Sequence, residues 1–280
     1  MPLVNLQKVL EQAERGNYGV GSFDVFNLET LCGVLEAAEE KKSPVIIAYG
    51  EEFDKLAGIE NLATIMIRMA QNASVPVVIH LDHAMTYEYV LRAVNSGFSS
   101  VMIDASIKPL QENIDITQRV VQVCRTFNVS VEAELGHVSG LEGLYERDDY
   151  IYTDVNEAAR FARETGIDAL AVAIGTVHGV YKEKPRLNLQ RLKEIKQAVK
   201  PYLVLHGGSG LSEDDFKHTI QNGISKVNIF TDLLVAAMDR IRRDADDRTI
   251  SYTKQSVRIA DAVKRETIRK MEIFGSCGKA

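Results

Sequence analysis

The chain has 280 residues, 45% of them hydrophobic and 26% charged, and a formal net charge of -6. That length suits one α/β barrel, and the composition suits a folded protein with a large core. The acidic balance argues against a nucleic-acid binder or a binder of acidic membranes, and no apolar run reaches bilayer-spanning length.

The N-terminal "MPLVNLQKVLEQAERG" has helical apolar spacing with charges inside it, unlike a signal peptide or anchor. Eight apolar, β-branched runs then follow, each leading through a loop toward a helical pattern. They are "YGVGSFDV" (Tyr18–Val25), "PVIIAYG" (Pro44–Gly50), "VPVVIHLD" (Val75–Asp82), "SSVMIDA" (Ser99–Ala105), "VSVEAELG" (Val129–Gly136), "ALAVAIG" (Ala169–Gly175), "YLVLHGG" (Tyr202–Gly208) and "SKVNIFT" (Ser225–Thr231). Helices fit between them: Asn27 and Ser212 are N-caps, and Gly97 and Gly223 are stops. The runs lack polar alternation, as in a parallel sheet buried on both faces. The expected fold is a single (β/α)₈ TIM barrel domain over residues 1–280, with an N-terminal helix and a helical C-terminal extension (Ser256–Phe274). A doubly wound open sheet is the competitor. Cys32, Cys124 and Cys277 lie far apart with no CxxC, as reduced thiols of a cytoplasmic protein would.

Active sites of such barrels lie at the C-terminal ends of the strands. The polar residues fall there: His80, Asp82 and His83 on the third run, Asp104 on the fourth, Glu132 and Glu134 on the fifth. His178 follows the sixth, His206 ends the seventh and Asn228 lies on the eighth. Singly, a histidine after a strand is more often hydrogen-bonded structure than a ligand, and Asp104 could simply cap the next helix. Together, imidazoles and carboxylates converging from separate strands are what a catalytic divalent metal such as zinc needs. Along a regular strand His80 and Asp82 share a face and His83 opposes them. A metal role for His83 therefore requires the strand to stop near Asp82, leaving His80 as a supporting residue one layer deeper. Lys226 begins the eighth run, at the wrong end for an imine-forming lysine. "HGGSG" (His206–Gly210), with Gly207 and Gly208, and "NIFTD" (Asn228–Asp232) precede helices, where backbone N–H groups hold phosphate in many barrels. Lys182 adds a cation within reach.

The motifs "HLDHA", "AELGHVSGLE", "IGTVHGVYK", "LHGGSGL" and "KVNIFTDL" resemble the class II, metal-dependent ketose-bisphosphate aldolases, the fructose- and tagatose-bisphosphate group. The resemblance runs from about Leu6 to the C-terminus. It implies a catalytic Zn²⁺ on His83, His178 and His206, with Asp104 and Glu134 as alternative or second-site ligands. It implies Asp82 as the acid/base at the C4 hydroxyl and Glu142 as the group that exchanges a proton at C3. Gly179, Gly207 and Ser209, with Asn228 and Thr231, would contact the dihydroxyacetone-phosphate half, with Lys182 near its phosphate and a monovalent cation (Na⁺ or K⁺) close by. The implied reaction is reversible cleavage of a ketose 1-phosphate or 1,6-bisphosphate to dihydroxyacetone phosphate and an aldehyde, in a homodimer or homotetramer. Metal-dependent isomerase or epimerase chemistry on the same barrel, or a non-catalytic accessory subunit, are the competing readings.

The chain also departs from that family. Ser139 and Gly143 replace a glycine and an acid around Glu142. Glu51 and Glu52 stand where small or hydroxyl residues are usual, and would oppose a second phosphate. Phe230 replaces an aspartate or alanine. The expectation is a ketose 1-phosphate with an unusual or non-phosphorylated distal end.

Overall fold

The structure, a computed structural model, describes residues 2–138, 152–179 and 185–280. Its strands are β1 (Val20–Asp24), β2 (Val45–Gly50), β3 (Val77–Ala84), β4 (Ser100–Ile103), β5 (Ser130–Leu135), β6 (Ala169–Val172), β7 (Tyr202–Leu205) and β8 (Ile224–Ile229). Each pairs in parallel with the next, and β8 pairs with β1, so the sheet closes into a barrel. The helices are α1 (Leu6–Gly16), α2 (Leu28–Lys41), α3 (Ile59–Asn72), α4 (Tyr87–Asn95), α5 (Leu110–Thr126), α6 (Val155–Thr165), α7 (Leu189–Ala198), α8 (Glu213–Gln221), α9 (Thr231–Asp244) and α10 (Tyr252–Phe274). This is the expected TIM barrel. Asn27 and Ser212 cap α2 and α8 through side-chain hydrogen bonds to the third residue of each helix. The C-terminal helix starts earlier than expected, at Tyr252, because Ser251 caps it by accepting from the Lys254 N–H.

The inside of the barrel changes character along its axis. At the N-terminal end Val20, Ile46, Val78, Met102, Ala169, Ala171 and Val204 pack against Leu6, Val9, Leu10 and Ala13 of α1. The apolar stripe of α1 thus plugs the barrel bottom and keeps water out beneath the polar residues. Above this layer come the buried Ser22, His80, Ser100, Glu132 and Lys226, then Asp24, Asp82, Glu134, His206 and Asn228 toward the mouth. Outside, α10 lies against α2, where Gly33 permits the contact. A Cβ there would meet the Ala260 carbonyl oxygen at 2.7 Å and the Val263 Cβ at 2.9 Å. That docking carries the far end of α10 behind the loops that follow β7 and β8.

Candidate active site

The mouth is assembled by one irregularity in β3. Leu81 pairs with Val101, but Ile103 pairs with Ala84, so β3 holds one extra residue between them. His83 takes φ +45°, a left-handed conformation rare for a residue with a Cβ. The expected stop near Asp82 is therefore corrected: the strand continues to Ala84, and a bulge turns His83 inward beside Asp82. Holding such a backbone costs about 1–3 kcal/mol, tolerated where the surroundings over-determine it.

Three imidazoles meet there. Ligand nitrogens of His83, His178 and His206 all lie within 4.8 Å of one another. The rings of His83 and His206 are edge-to-face, with centroids 4.7 Å apart. Carboxylates decide which nitrogens face the centre. His83 Nδ1 lies 2.8 Å from Asp104 Oδ2, and His206 Nε2 lies 2.9 Å from Glu132 Oε1. An ionised carboxylate only accepts, so both of those nitrogens carry hydrogens. The remaining pair, His83 Nε2 and His206 Nδ1, face each other at 2.9 Å. Two neutral imidazoles would place two lone pairs in opposition, which is unfavourable unless a cation stands between them. Without a metal a proton takes that place. Burial alone would lower His83, but Asp82 and Asp104 hold it well above the usual imidazole range, while burial takes His206 down to about 4.

Asp104 and Glu134 supply a second face of this centre, with His83 common to both. Asp104 does not cap α5, which begins after Pro109; its other oxygen accepts from the Ser106 N–H. Glu134 Oε1 accepts from the Val138 N–H, and its Oε2 is buried with no hydrogen-bond donor among the described residues. Burial, then the Asp104 charge, pushes Glu134 up to about 8. A buried acceptor left without a donor, beside converging imidazoles, is a donor set that fits a divalent cation.

The layer beneath has its own cation. The sequence places Lys226 at the start of β8, the expected wrong end for chemistry. Its backbone does pair low, opposite Val20 and Val204. Its stem, however, carries the ammonium up to 2.8 Å from Glu132 Oε2 and 3.4 Å from His80 Nε2. The alternation that turns Asn228 inward also turns Lys226 inward, a signal present in the sequence. His80, Asp82 and Glu132 thus resemble a second metal cluster, but Lys226 already supplies the positive charge. Burial would raise Glu132; Lys226 and the His206 hydrogen bond hold it at about 2 instead. His80 Nδ1 bonds the Ser100 hydroxyl at 2.8 Å, and its Nε2 lies 3.6 Å from Asp82 Oδ1. Asn228 Nδ2 donates to both oxygens of Asp82, at 3.2 and 3.0 Å. Burial opposes ionisation of Asp82, but the neighbouring His83 charge and the His80 contact keep its carboxyl well below the usual range.

Gly179, Gly207, Gly208, Ser209 and Asn228 line one small cavity with Asp24 and Phe230. Gly207 has φ +64°, and a Cβ on it would meet the Val177 carbonyl oxygen at 2.5 Å, so the loops after β6 and β7 touch backbone to backbone. Thr231 opens α9 at the edge of this cradle. Asp24, which the sequence reading passed over, ends β1 and is only 5% exposed. Glu51 accepts from the Met85 N–H at 2.8 Å, which fixes it at the top of β3. Phe26, Phe53 and Phe230 form an aromatic group, with ring centroids 5.2 to 6.2 Å apart. Ser139, Glu142, Gly143 and Lys182 lie outside the described residues. Two wider clefts, about 650 and 400 Å³, open at the other end of the barrel along α1; the chemistry of the side chains, not volume, singles out the mouth.

Residues 4–279 match the model of the class-II fructose-bisphosphate aldolases. The chain belongs to the class II aldolase family, carbon–carbon lyases that depend on a metal. It is 43% identical over 270 residues to YdjI of Escherichia coli K12, covering 96% of each. A crystal structure of the YdjI aldolase superposes with a TM-score of 0.91 at 40% identity, covering 99% of both chains. The chain is also 40% identical to the 6-phospho-5-dehydro-2-deoxy-D-gluconate aldolase of Bacillus licheniformis, over 100% of this chain and 97% of that one. It is equally 40% identical to the fructose-bisphosphate aldolase of Geobacillus stearothermophilus, over 100% of this chain and 99% of that one.

Two outcomes test this electrostatic arrangement. Lys226→Met leaves Glu132 charged and buried, so it should cost about 3–5 kcal/mol in urea denaturation, and adding Glu132→Gln should return much of that. Glu134 differs in sign from Asp82, Asp104 and Glu132. Its folded pKa of about 8 exceeds the ordinary 4.5, so between these values the folded metal-free protein holds a proton that the unfolded chain releases. Stability of chelator-treated protein from this group should therefore fall as pH rises through that window, by up to about 1.4 kcal/mol per pH unit, and Glu134→Gln should remove that slope.

Proposed function

We propose that this chain is a zinc-dependent class II aldolase. In this reading it reversibly cleaves a ketose 1-phosphate to dihydroxyacetone phosphate and an aldehyde whose distal end carries no phosphate. The observation that carries it is the pair of imidazole nitrogens, His83 Nε2 and His206 Nδ1, turned toward each other by carboxylates. With His178 they would hold the metal, and Asp104 and Glu134 would serve as alternative or second-site ligands. When bound, the zinc would act as a Lewis acid on the substrate's oxygens and spread the charge left when the C3–C4 bond breaks.

The protein's own groups do the rest. Asp82, kept ionised and held by Asn228, takes the proton of the C4 hydroxyl in this reading as that bond opens. The electron pair of the bond passes to C3, and Glu142 returns a proton there. The phosphate of the ketone half would lie against Gly179, Gly207, Gly208, Ser209, Asn228 and Thr231, with Lys182 and a monovalent cation completing its neutralisation. Each correctly placed acid or base is worth about 10²–10⁴-fold in rate.

The names of the relatives span a ketose bisphosphate and a phosphorylated sugar acid, so kinship leaves the distal end open. This chain's own residues favour an uncharged or hydroxylated end. Glu51 and Glu52 follow β2 with carboxylates, and Phe26 and Phe53 stand beside them as packed rings. A second phosphate dianion would meet repulsion there. We read the chain as one domain, 1–280, working in the cytoplasm as a homodimer or homotetramer. Support for assembly comes from α9, where Leu233 alone is buried while Val235, Met238 and Ile241 stand exposed along the helix. No helix among the described residues is long and apolar enough to cross a membrane.

The substrate reading is tested by a panel of aldehydes condensed with dihydroxyacetone phosphate, with and without chelator. Non-phosphorylated polyhydroxy aldehydes should give the highest kcat/KM, and chelator should abolish turnover in every case. A preference of orders of magnitude for glyceraldehyde 3-phosphate would sink the distal-end proposal. Separately, Asp82→Asn should lower kcat by about 10²–10⁴-fold while leaving bound zinc unchanged, as metal analysis would show.

A further inference from the structure

The structure holds a second buried ammonium that the reaction scheme does not use. Lys270, on α10, is 1% exposed. Its Nζ pairs with Asp232 Oδ2, lies 3.6 Å from Glu266 Oε1 and sits 4.9 Å from the centre of the Phe216 ring. Glu266 is engaged by Arg269 at 2.7 Å, so Asp232 is the carboxylate that Lys270 chiefly answers.

Asp232 is the second residue of α9, and besides Lys270 it bonds Gly210 and Ser209 of the loop after β7. The same Oδ2 accepts from the Gly210 N–H at 3.2 Å. The Asp232 N–H donates to Ser209 Oγ at 3.3 Å, as does the Phe230 N–H. Ser209 is itself buried. A continuous path therefore runs from the C-terminal helix through Lys270 and Asp232 to Gly210 and Ser209.

We infer that Lys270 is a positioning residue for the substrate's phosphate, acting through Asp232 from the side of the loops away from the barrel axis. The inference rests on the reading that the loops after β7 and β8 hold that phosphate. Two effects follow from the geometry. First, Lys270 fixes the Asp232 carboxylate, which fixes Gly210 and Ser209 against the start of α9. Second, it cancels a negative charge at a helix N-terminus, where an incoming dianion would otherwise be repelled. A lysine that merely packed α10 onto the barrel would influence stability but not the sign of an anion's response.

That difference in sign makes the test. Inorganic phosphate binding is measured by calorimetry on the zinc-loaded protein, and as competitive inhibition, for the parent, Lys270→Met, Asp232→Asn and the double variant. KM, kcat and bound zinc are recorded for each. Lys270→Met should weaken phosphate binding and raise KM on the order of tenfold, equivalent to about 1.4 kcal/mol, with kcat and zinc unchanged. Asp232→Asn, whose amide oxygen still accepts from Gly210, should bind phosphate more tightly than the parent. The double variant should return close to the parent. Weaker binding by Asp232→Asn, or parental binding by folded Lys270→Met, would overturn the inference. If Lys270→Met does not fold, the sign of the Asp232→Asn response alone decides. A parent that binds no phosphate would instead refute the reading of the loops, a distinct result.

Discussion

The polar half of the barrel depends on the buried ion pair between Lys226 and Glu132. Burying several carboxylates and imidazoles together is costly unless charge is balanced at short range. One ammonium, raised on a flexible stem from the apolar layer, balances Glu132 and lies within 3.4 Å of His80. Glu132 can then stay ionised and hold His206 by its outer nitrogen, leaving the inner nitrogen turned to the centre. His80 in turn lies beside Asp82. Ligand orientation and the ionisation of the acid/base candidate thus share one foundation, sealed from below by α1.

Above that layer, among the described residues, the balance is incomplete. Asp104 fixes His83 as Glu132 fixes His206, and the two remaining nitrogens converge with no lysine or arginine of the described residues between them. Glu134 keeps a buried oxygen without a donor among the described residues. Lower in the barrel the same kinds of residue are satisfied by lysine. Membership of a metal-dependent family fits this contrast, with the upper cluster as the candidate metal centre. The strained His83 backbone belongs with this, since the bulge that holds it brings a third-strand imidazole beside His178 and His206.

Two lysines from distant parts of the chain play parallel parts. Lys226 stands under the candidate metal centre, and Lys270 stands behind the glycine cradle. Each is almost wholly buried and each meets a carboxylate that contacts a candidate site residue. The docking of α10 on α2 through Gly33 is what makes the second possible, so the C-terminal helix is tied to the site as well as to the barrel wall.

Much of this was legible in the chain itself. Eight β-branched runs alternating with capped helical patterns determined eight βα units, because hydrophobic periodicity and caps are local properties, whereas the pairing of β8 with β1 that closes the barrel over an open sheet is tertiary. The clustering of histidines and acids at strand ends determined where chemistry would lie. Strand alternation even held the clue to Lys226, two residues before Asn228. What tertiary structure decided were matters of register and reach. The bulge in β3 depends on pairing with β4, so no local pattern shows that His83 turns inward while its strand continues. The partners that set each imidazole's tautomer come from other strands. The contact of Lys270 with Asp232 joins residues on separate helices, and only the packing of α10 brings them together.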